Sequence, residues 1–171
     1  MSRNLADLTP DTRAAAERLL EFARAQGLNP VIQSTARSCA EQNALFAQGP
    51  TVTKVQGCRS WHVMGRAIDV HIGSENCAAY IPLAEFWKRM GGRWGGDFPG
   101  FPDCVHFELP HPDKTLAELC PDPSPGNCER AVAGQPPAVF ASTQTLAVFG
   151  AAFGAALAMT VVGGKRRRRR V

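Results

Sequence analysis

Before residue 165 the chain has no surplus of positive charge. It holds 19 Lys and Arg against 15 Asp and Glu, but six of the basic residues are Lys165 to Arg170; residues 1–137 keep the other 13 with all 15 acids, a net charge of −2. That balance excludes a folded domain built to neutralise a nucleic-acid backbone. The first ten residues, Met1 to Pro10, contain no apolar run of the kind that forms a leader core, so export by a cleaved leader is not expected. No two of the six cysteines stand as Cys-x-x-Cys, which argues against a structural zinc knuckle; their even number suits an oxidising compartment and leaves the connectivity open. No internal repeat is present. With 44% apolar residues, 171 residues suffice for one domain with a real core and an appendage.

Local signals divide residues 1–110 into alternating elements. Thr9-Pro10-Asp11 has the form of a helix start, with a hydroxyl at the cap, proline in the first turn and an acid near the positive end of the helix dipole. Leu19, Leu20, Phe22 and Ala23 supply its apolar face, and Gly27 with Asn29-Pro30 ends it near residue 26. A short strand is expected at Val31 to Thr35. Ser38 and Glu41 have capping-box spacing, so a second helix should begin there and stop before Gly49-Pro50. A loop over 51–59 precedes Ala67 to Ile72, whose alternation predicts a strand with Ile68, Val70 and Ile72 on one face and Ala67, Asp69 and His71 on the other. A third helix fits Pro82 to Met90 and a last strand Val105 to Leu109.

Beyond that point the composition changes. Residues 111–137 are rich in proline and glycine and read as a linker, with a Cys120–Cys128 bridge to hold it. Residues 138–164 carry no charge, and Leu146 to Val162 approaches the length needed to cross a hydrocarbon core of about 30 Å. This stretch reads as a transmembrane helix rather than a buried alanine-rich core helix, because the basic tail 165–171 follows at once. Gly150 and Gly154 form a small-xxx-small pattern that would allow helix pairing. The basic tail predicts an inner-membrane anchor with the preceding domain on the periplasmic side, while the missing leader leaves its route across unexplained.

The chemistry-bearing residues fall in three motifs. Ser60-Trp-His62-Val-Met-Gly65-Arg-Ala-Ile-Asp69 joins a histidine to an aspartate through a glycine turn that runs into a strand, and Asp103-Cys-Val-His106-Phe-Glu108 offers a second histidine beside two acids. Zinc takes imidazole nitrogen and carboxylate oxygen, and a catalytic site needs three such protein ligands with one position left for water. His62, Asp69 and His106 meet that need, with His71 the best alternative ligand; His111, between two prolines, reads as solvated. Together with Ser34-Thr-Ala-Arg37-Ser, Glu41-Gln42 and Trp94-Gly-Gly-Asp97-Phe, these motifs resemble the D-alanyl-D-alanine carboxypeptidase and L-alanyl-D-glutamate endopeptidase family, especially its phage endolysin branch, over roughly residues 8–110. The resemblance implies a small α+β domain with a zinc site on an antiparallel sheet, His62, Asp69 and His106 as ligands, Asp103 as general base and Arg37 near the substrate. Gln42 and Ser60 are further candidate substrate contacts.

Two points depart from the resemblance or strain against it. Ala36 stands where such sequences usually have an aromatic residue, and Cys104 lies between the implied base and ligand, where a disulfide would stiffen the loop that aims Asp103. Strict alternation also places Glu108, not Asp103, on the face of His106. Glu108 therefore competes for the role of base, or else orients a ligand histidine, and Pro102 makes an irregular strand entry plausible. The implied function is a zinc peptidase acting on peptidoglycan stem peptides, with carboxypeptidase and endopeptidase activity left open. Its rivals are a catalytically silent zinc-containing wall-binding module and a membrane-perturbing lysis protein.

Overall fold

Pro10 opens α1 (Pro10–Ala25), and its buried stripe of Ala15, Ala16, Leu19, Leu20 and Ala23 follows the 3.6-residue period foreseen in the sequence. The computed structural model describes residues 1–133. After α1 come β1 (Val31–Ser34), α2 (Cys39–Phe46), β2 (Ala67–His71), α3 (Ile81–Arg89), β3 (Arg93–Trp94), β4 (His106–Glu108), α4 (Leu116–Leu119) and α5 (Pro125–Ala133). The four strands form one antiparallel sheet in the order β1-β2-β4-β3. The expected α+β class is therefore met.

One face of the sheet is apolar. Ile68, Val70, Trp94 and Phe107 lie buried in one cluster with Leu19 and Leu20 of α1 and Leu83 and Trp87 of α3. Phe22 and Phe86 stack at 4.3 Å where the two helices meet. The Trp87 indole donates to the Glu108 carbonyl at 2.9 Å, which fastens α3 to β4. Because side chains alternate along a strand, the opposite face of β2 and β4 is left to Asp69, His106 and Glu108. β1 carries an irregularity between Ile32 and Ser34, and Ser34 there lies opposite Asp69.

The capping box of α2 forms as its sequence predicts: the Ser38 hydroxyl accepts from the Glu41 amide and the Glu41 carboxylate accepts from the Ser38 amide. Two parts differ from expectation. β3 is a two-residue strand in the glycine-bracketed Arg93-Trp94, too short for any alternation to announce it. Residues 111–133 are not a loose linker but carry α4 and α5 and are tied to the domain. Cys120 pairs with Cys58 and Cys128 with Cys39, so the expected Cys120–Cys128 bridge is replaced by two long-range ones; Cys77 pairs with Cys104. Cys39, Cys58, Cys120 and Cys128 are buried with Trp61, Val63 and Met64 in a second apolar cluster, which gives this segment its own small core. Among the described residues no helix is long and apolar enough to cross a membrane. The expected span over 138–164, its Gly150/Gly154 motif and the basic tail lie outside those residues.

Candidate metal centre

The sheet register assembles the centre. Asp69 on β2 lies directly opposite His106 on β4, so the two side chains leave the same face as neighbours. His62 comes from the turn before β2, which reverses at Gly65 with φ +64°; a side chain there would be strained and would press on the Asp7 carbonyl. His62 Nε2 is 3.1 Å from Asp69 Oδ1 and 3.2 Å from His106 Nδ1, and His106 Nδ1 is 3.0 Å from Asp69 Oδ1. These three donors lie within 4.8 Å of one another, and among the described residues no other set of three His, Cys, Asp or Glu side chains does so.

The residues fit a zinc ion by their donor chemistry: two imidazole nitrogens and one carboxylate oxygen converge, as in a three-ligand catalytic site. The outer ring nitrogens strengthen the fit. His62 Nδ1 lies 2.5 Å from the Thr35 carbonyl, and His106 Nε2 lies 3.1 Å from Glu108 Oε2. With a cation bound, an outer nitrogen that donates its proton to such an acceptor turns the inner lone pair toward the ion. Thr35 and Glu108 are thus the anchors of the two histidines. Only Glu108 was foreseen in that role, since a backbone carbonyl has no sequence signal.

Without a cation the cluster is strongly polarised. Burial disfavours the Asp69 carboxylate, but the charge of His62 and hydrogen bonds from both histidines outweigh it and hold Asp69 far below the usual carboxylate range. Burial likewise opposes a charged His106, yet Asp69 and Glu108 overcome it and push its pKa up to about 10. Asp103 shifts the other way. Burial and the neighbouring Asp69 charge both raise it above an ordinary aspartate.

Asp103 reaches the cleft because the chain bends before β4. Its amide donates to the Gly95 carbonyl at 2.9 Å and its carbonyl accepts from the His106 amide at 3.2 Å, so strict alternation does not extend back to residue 103. Gly95 permits this approach, since a Cβ there would sit 2.4 Å from the Asp103 carbonyl oxygen. Cys104 is joined to Cys77, which stiffens the same bend. Asp103 and Glu108 both line a cleft of about 550 Å³ that contains the three donors.

The other candidates separate by their partners. Arg37 lines the cleft with Nη2 on Asp69 Oδ2 and Nη1 on Gln42 Oε1, both at 3.1 Å, so it orients the Asp69 carboxylate. Gln42 is fully buried and also donates to the Val55 carbonyl at 2.9 Å; it supports Arg37 and the loop over 53–55 and does not line the cleft. Ser60 does line it. His71 is drawn to Glu75 at 3.1 Å and stays outside the donor set, and His111 caps the Asp113 amide. Arg66 was missed by sequence reasoning. It is buried and binds Asp11, Thr9 and the carbonyls of Leu109 and Pro110, which locks the start of α1 to the end of β4.

The fold and site define a small α+β domain whose antiparallel sheet bears a His-Asp-His group that could hold a metal ion, with the Asp103 carboxylate in the same cleft, and comparison with known proteins gives its family. A family model described as D-alanyl-D-alanine carboxypeptidase matches residues 53–109, the stretch that holds His62, Asp69, Asp103 and His106. Peptidoglycan L-alanyl-D-glutamate endopeptidase CwlK of Bacillus subtilis (strain 168) is 32% identical over 123 residues, covering 60% of this chain and 74% of that protein. The L-alanyl-D-glutamate peptidase of Listeria phage A118 is 31% identical over 122 residues, covering 63% of this chain but only 41% of the phage protein. The crystal structure of Serratia marcescens L-Ala D-Glu endopeptidase ChiX superposes with a TM-score of 0.50 at 24% identity over 62% of this chain and 83% of that one, a likeness of fold. The chain belongs to the D-alanyl-D-alanine carboxypeptidase and L-alanyl-D-glutamate endopeptidase family.

Proposed function

We propose that the chain is a zinc peptidase that hydrolyses the L-alanyl-D-glutamate bond of peptidoglycan stem peptides. The observation that carries this reading is the convergence of His62, Asp69 and His106 within 4.8 Å, with both histidines anchored through their outer nitrogens, beside the Asp103 carboxylate. The choice of bond rests on the two sequence relatives, both named as L-alanyl-D-glutamate peptidases. His62 Nε2, Asp69 Oδ1 and His106 Nδ1 would hold the ion. When bound, zinc supplies a Lewis acid that polarises the scissile carbonyl and acidifies a water.

The remaining work falls to the chain's own groups. Asp103, raised above an ordinary aspartate, is a stronger base than an exposed one; it takes the proton of the attacking water and passes it to the leaving amine. Glu108 is less suited to that task, since its two oxygens are committed to His106 and Arg93. Arg37 keeps Asp69 aimed and adds positive potential where the oxyanion develops. The charge-free stretch 138–164 and the basic tail support attachment to the inner membrane with the peptidase on the periplasmic side.

The test is a digest of purified peptidoglycan with the full-length chain, with and without a zinc chelator, read by mass spectrometry. New amino-terminal glutamate that appears only with metal is the expected product. Release of D-alanine instead would make the chain a carboxypeptidase, and no product beside a bound zinc ion would favour a silent binding module.

A further inference from the structure

Past the stretch matched by the family model, residues 110–120 form a strap across the domain. Arg66 holds its start through the carbonyls of Leu109 at 2.9 Å and Pro110 at 3.4 Å. Its end is held by the Cys58–Cys120 disulfide and by Arg59, which donates to the carbonyls of Cys120 at 3.3 Å and Pro121 at 2.8 Å. A second cavity of about 440 Å³ is lined by this strap together with Trp61 and Arg93. Trp61, Arg93 and Leu116 line both this cavity and the metal cleft, so the two adjoin.

Three of the groups around the junction have donors to spare. Arg93, with its side chain 60% exposed, turns Nε and Nη2 to Glu108 and has no partner for Nη1 among the described residues. The Trp61 indole nitrogen is buried and has no partner among them either. Lys114 adds an ammonium group on the strap. Of the two acids there, Glu118 is already used to cap the Thr115 amide, which leaves Asp113 as the free one. A site with spare donors accepts a ligand rich in acceptors, above all a carboxylate, which a guanidinium binds in a fixed geometry.

Resting on the peptidase reading above, we propose that the strap cavity is a substrate subsite and that Arg93 is its specificity residue, binding a free carboxylate of the peptide close to the bond that is cut. A glutamyl residue brings such a carboxylate. Arg93 is also linked to the metal centre through one side chain, since Glu108 holds both Arg93 and His106. Binding of the anion at Arg93 therefore positions the peptide relative to His106.

The experiment compares alanyl-glutamyl stem peptides with a free carboxylate against the same peptides as amides, using the full-length chain and its Arg93→Gln, Arg93→Lys and Leu116→Trp variants. The wild type should prefer the acid. Arg93→Gln should raise KM for the acid by about ten-fold, the loss expected for one charge-assisted hydrogen bond, with a smaller change in kcat and no preference left. Arg93→Lys should restore part of the preference, and Leu116→Trp, which narrows the junction, should raise KM with zinc content unchanged. Titration of the wild type with the acid peptide should also move the NMR signals of Trp61 and Leu116, independently of turnover. Cleavage without acid preference and without those shifts would overturn the subsite and leave the peptidase reading intact. Signal shifts without cleavage of any peptide would do the reverse.

Discussion

Replacing Glu108 by Gln should weaken metal binding without removing a ligand. The Glu108 side chain is 6% exposed, and its Oε2 accepts from His106 Nε2 at 3.1 Å, so its negative charge acts on the histidine with little screening. Glutamine keeps the shape and an acceptor; what is lost is the charge. Loss of an outer partner of a ligand histidine typically costs 10- to 100-fold in affinity, and retention of a neutral acceptor places this variant near about ten-fold, or about 1.4 kcal/mol. Arg93 loses its ion pair in the same variant, but its exposed guanidinium can turn to water. The pH dependence provides an independent check. In the metal-free protein His106 has its pKa pushed up to about 10, so zinc must displace a proton from it at neutral pH. Apparent affinity of the wild type should therefore climb by up to about ten-fold per pH unit toward pH 10. In Glu108→Gln the climb should level off at lower pH, because one of the two charges that hold the proton is gone. Competition with a chromophoric chelator from pH 6 to pH 9 measures both effects. Equal affinity in the two proteins, with no dependence on pH, would refute the anchoring role assigned to Glu108.

Further outcomes follow from the same geometry. Single replacement of His62, Asp69 or His106 by Ala should bring bound zinc well below one per chain by metal analysis, and full occupancy in a folded His106→Ala protein would reject the donor set. Asp103→Asn should keep its zinc yet lose about 100-fold or more in turnover on peptidoglycan fragments; near-normal turnover there, beside an inactive Glu108→Gln, would transfer the role of base. Removal of the Cys39–Cys128 bridge, which spans 89 residues, by a double change to Ser should lower unfolding free energy by about 2 to 4 kcal/mol in denaturant titration, and an unchanged midpoint would show that α5 adds nothing to the domain. In the metal-free protein, His106 has a folded pKa above its unfolded value of 6.5, so its contribution to stability is full below pH 6.5 and fades as pH rises toward 10; thermal melts should fall over that window. A flat melting temperature across it would contradict the raised pKa.

The parts of this molecule that could be read from sequence are those set by local rules. The α2 capping box, the proline start of α1 and the alternation of β2 each depend on neighbours a few residues apart. The donor set was legible because two of its members share one turn-and-strand motif and the third sits in a separate motif of recognisable form. What escaped depends on contacts between distant segments. Arg66 bonds to residues 55 positions before and 43 after it, and cysteine spacing does not reveal which partner lies in reach. The bend that turns Asp103 into the cleft follows from Gly95 lying against its carbonyl, a tertiary contact that strand periodicity cannot contain. Proline and glycine counts misjudged residues 111–133: the Thr115–Glu118 capping box that starts α4 is a local signal the composition hid, and the disulfides and Arg59 that tie the segment down are contacts with distant residues.

The pairing of Asp69 with His106 across adjacent strands separates chemistry from recognition. Two of the three donors are held by sheet register, while the cleft walls come from elsewhere: the loop over 52–55, the segment over 98–101 that stops short of Asp103, and the strap that carries Leu116. Such a division makes the domain a modular scaffold. Its wall segments can be exchanged, lengthened or selected from libraries to redirect which peptide is accepted, while the hydrolytic core is inherited unchanged.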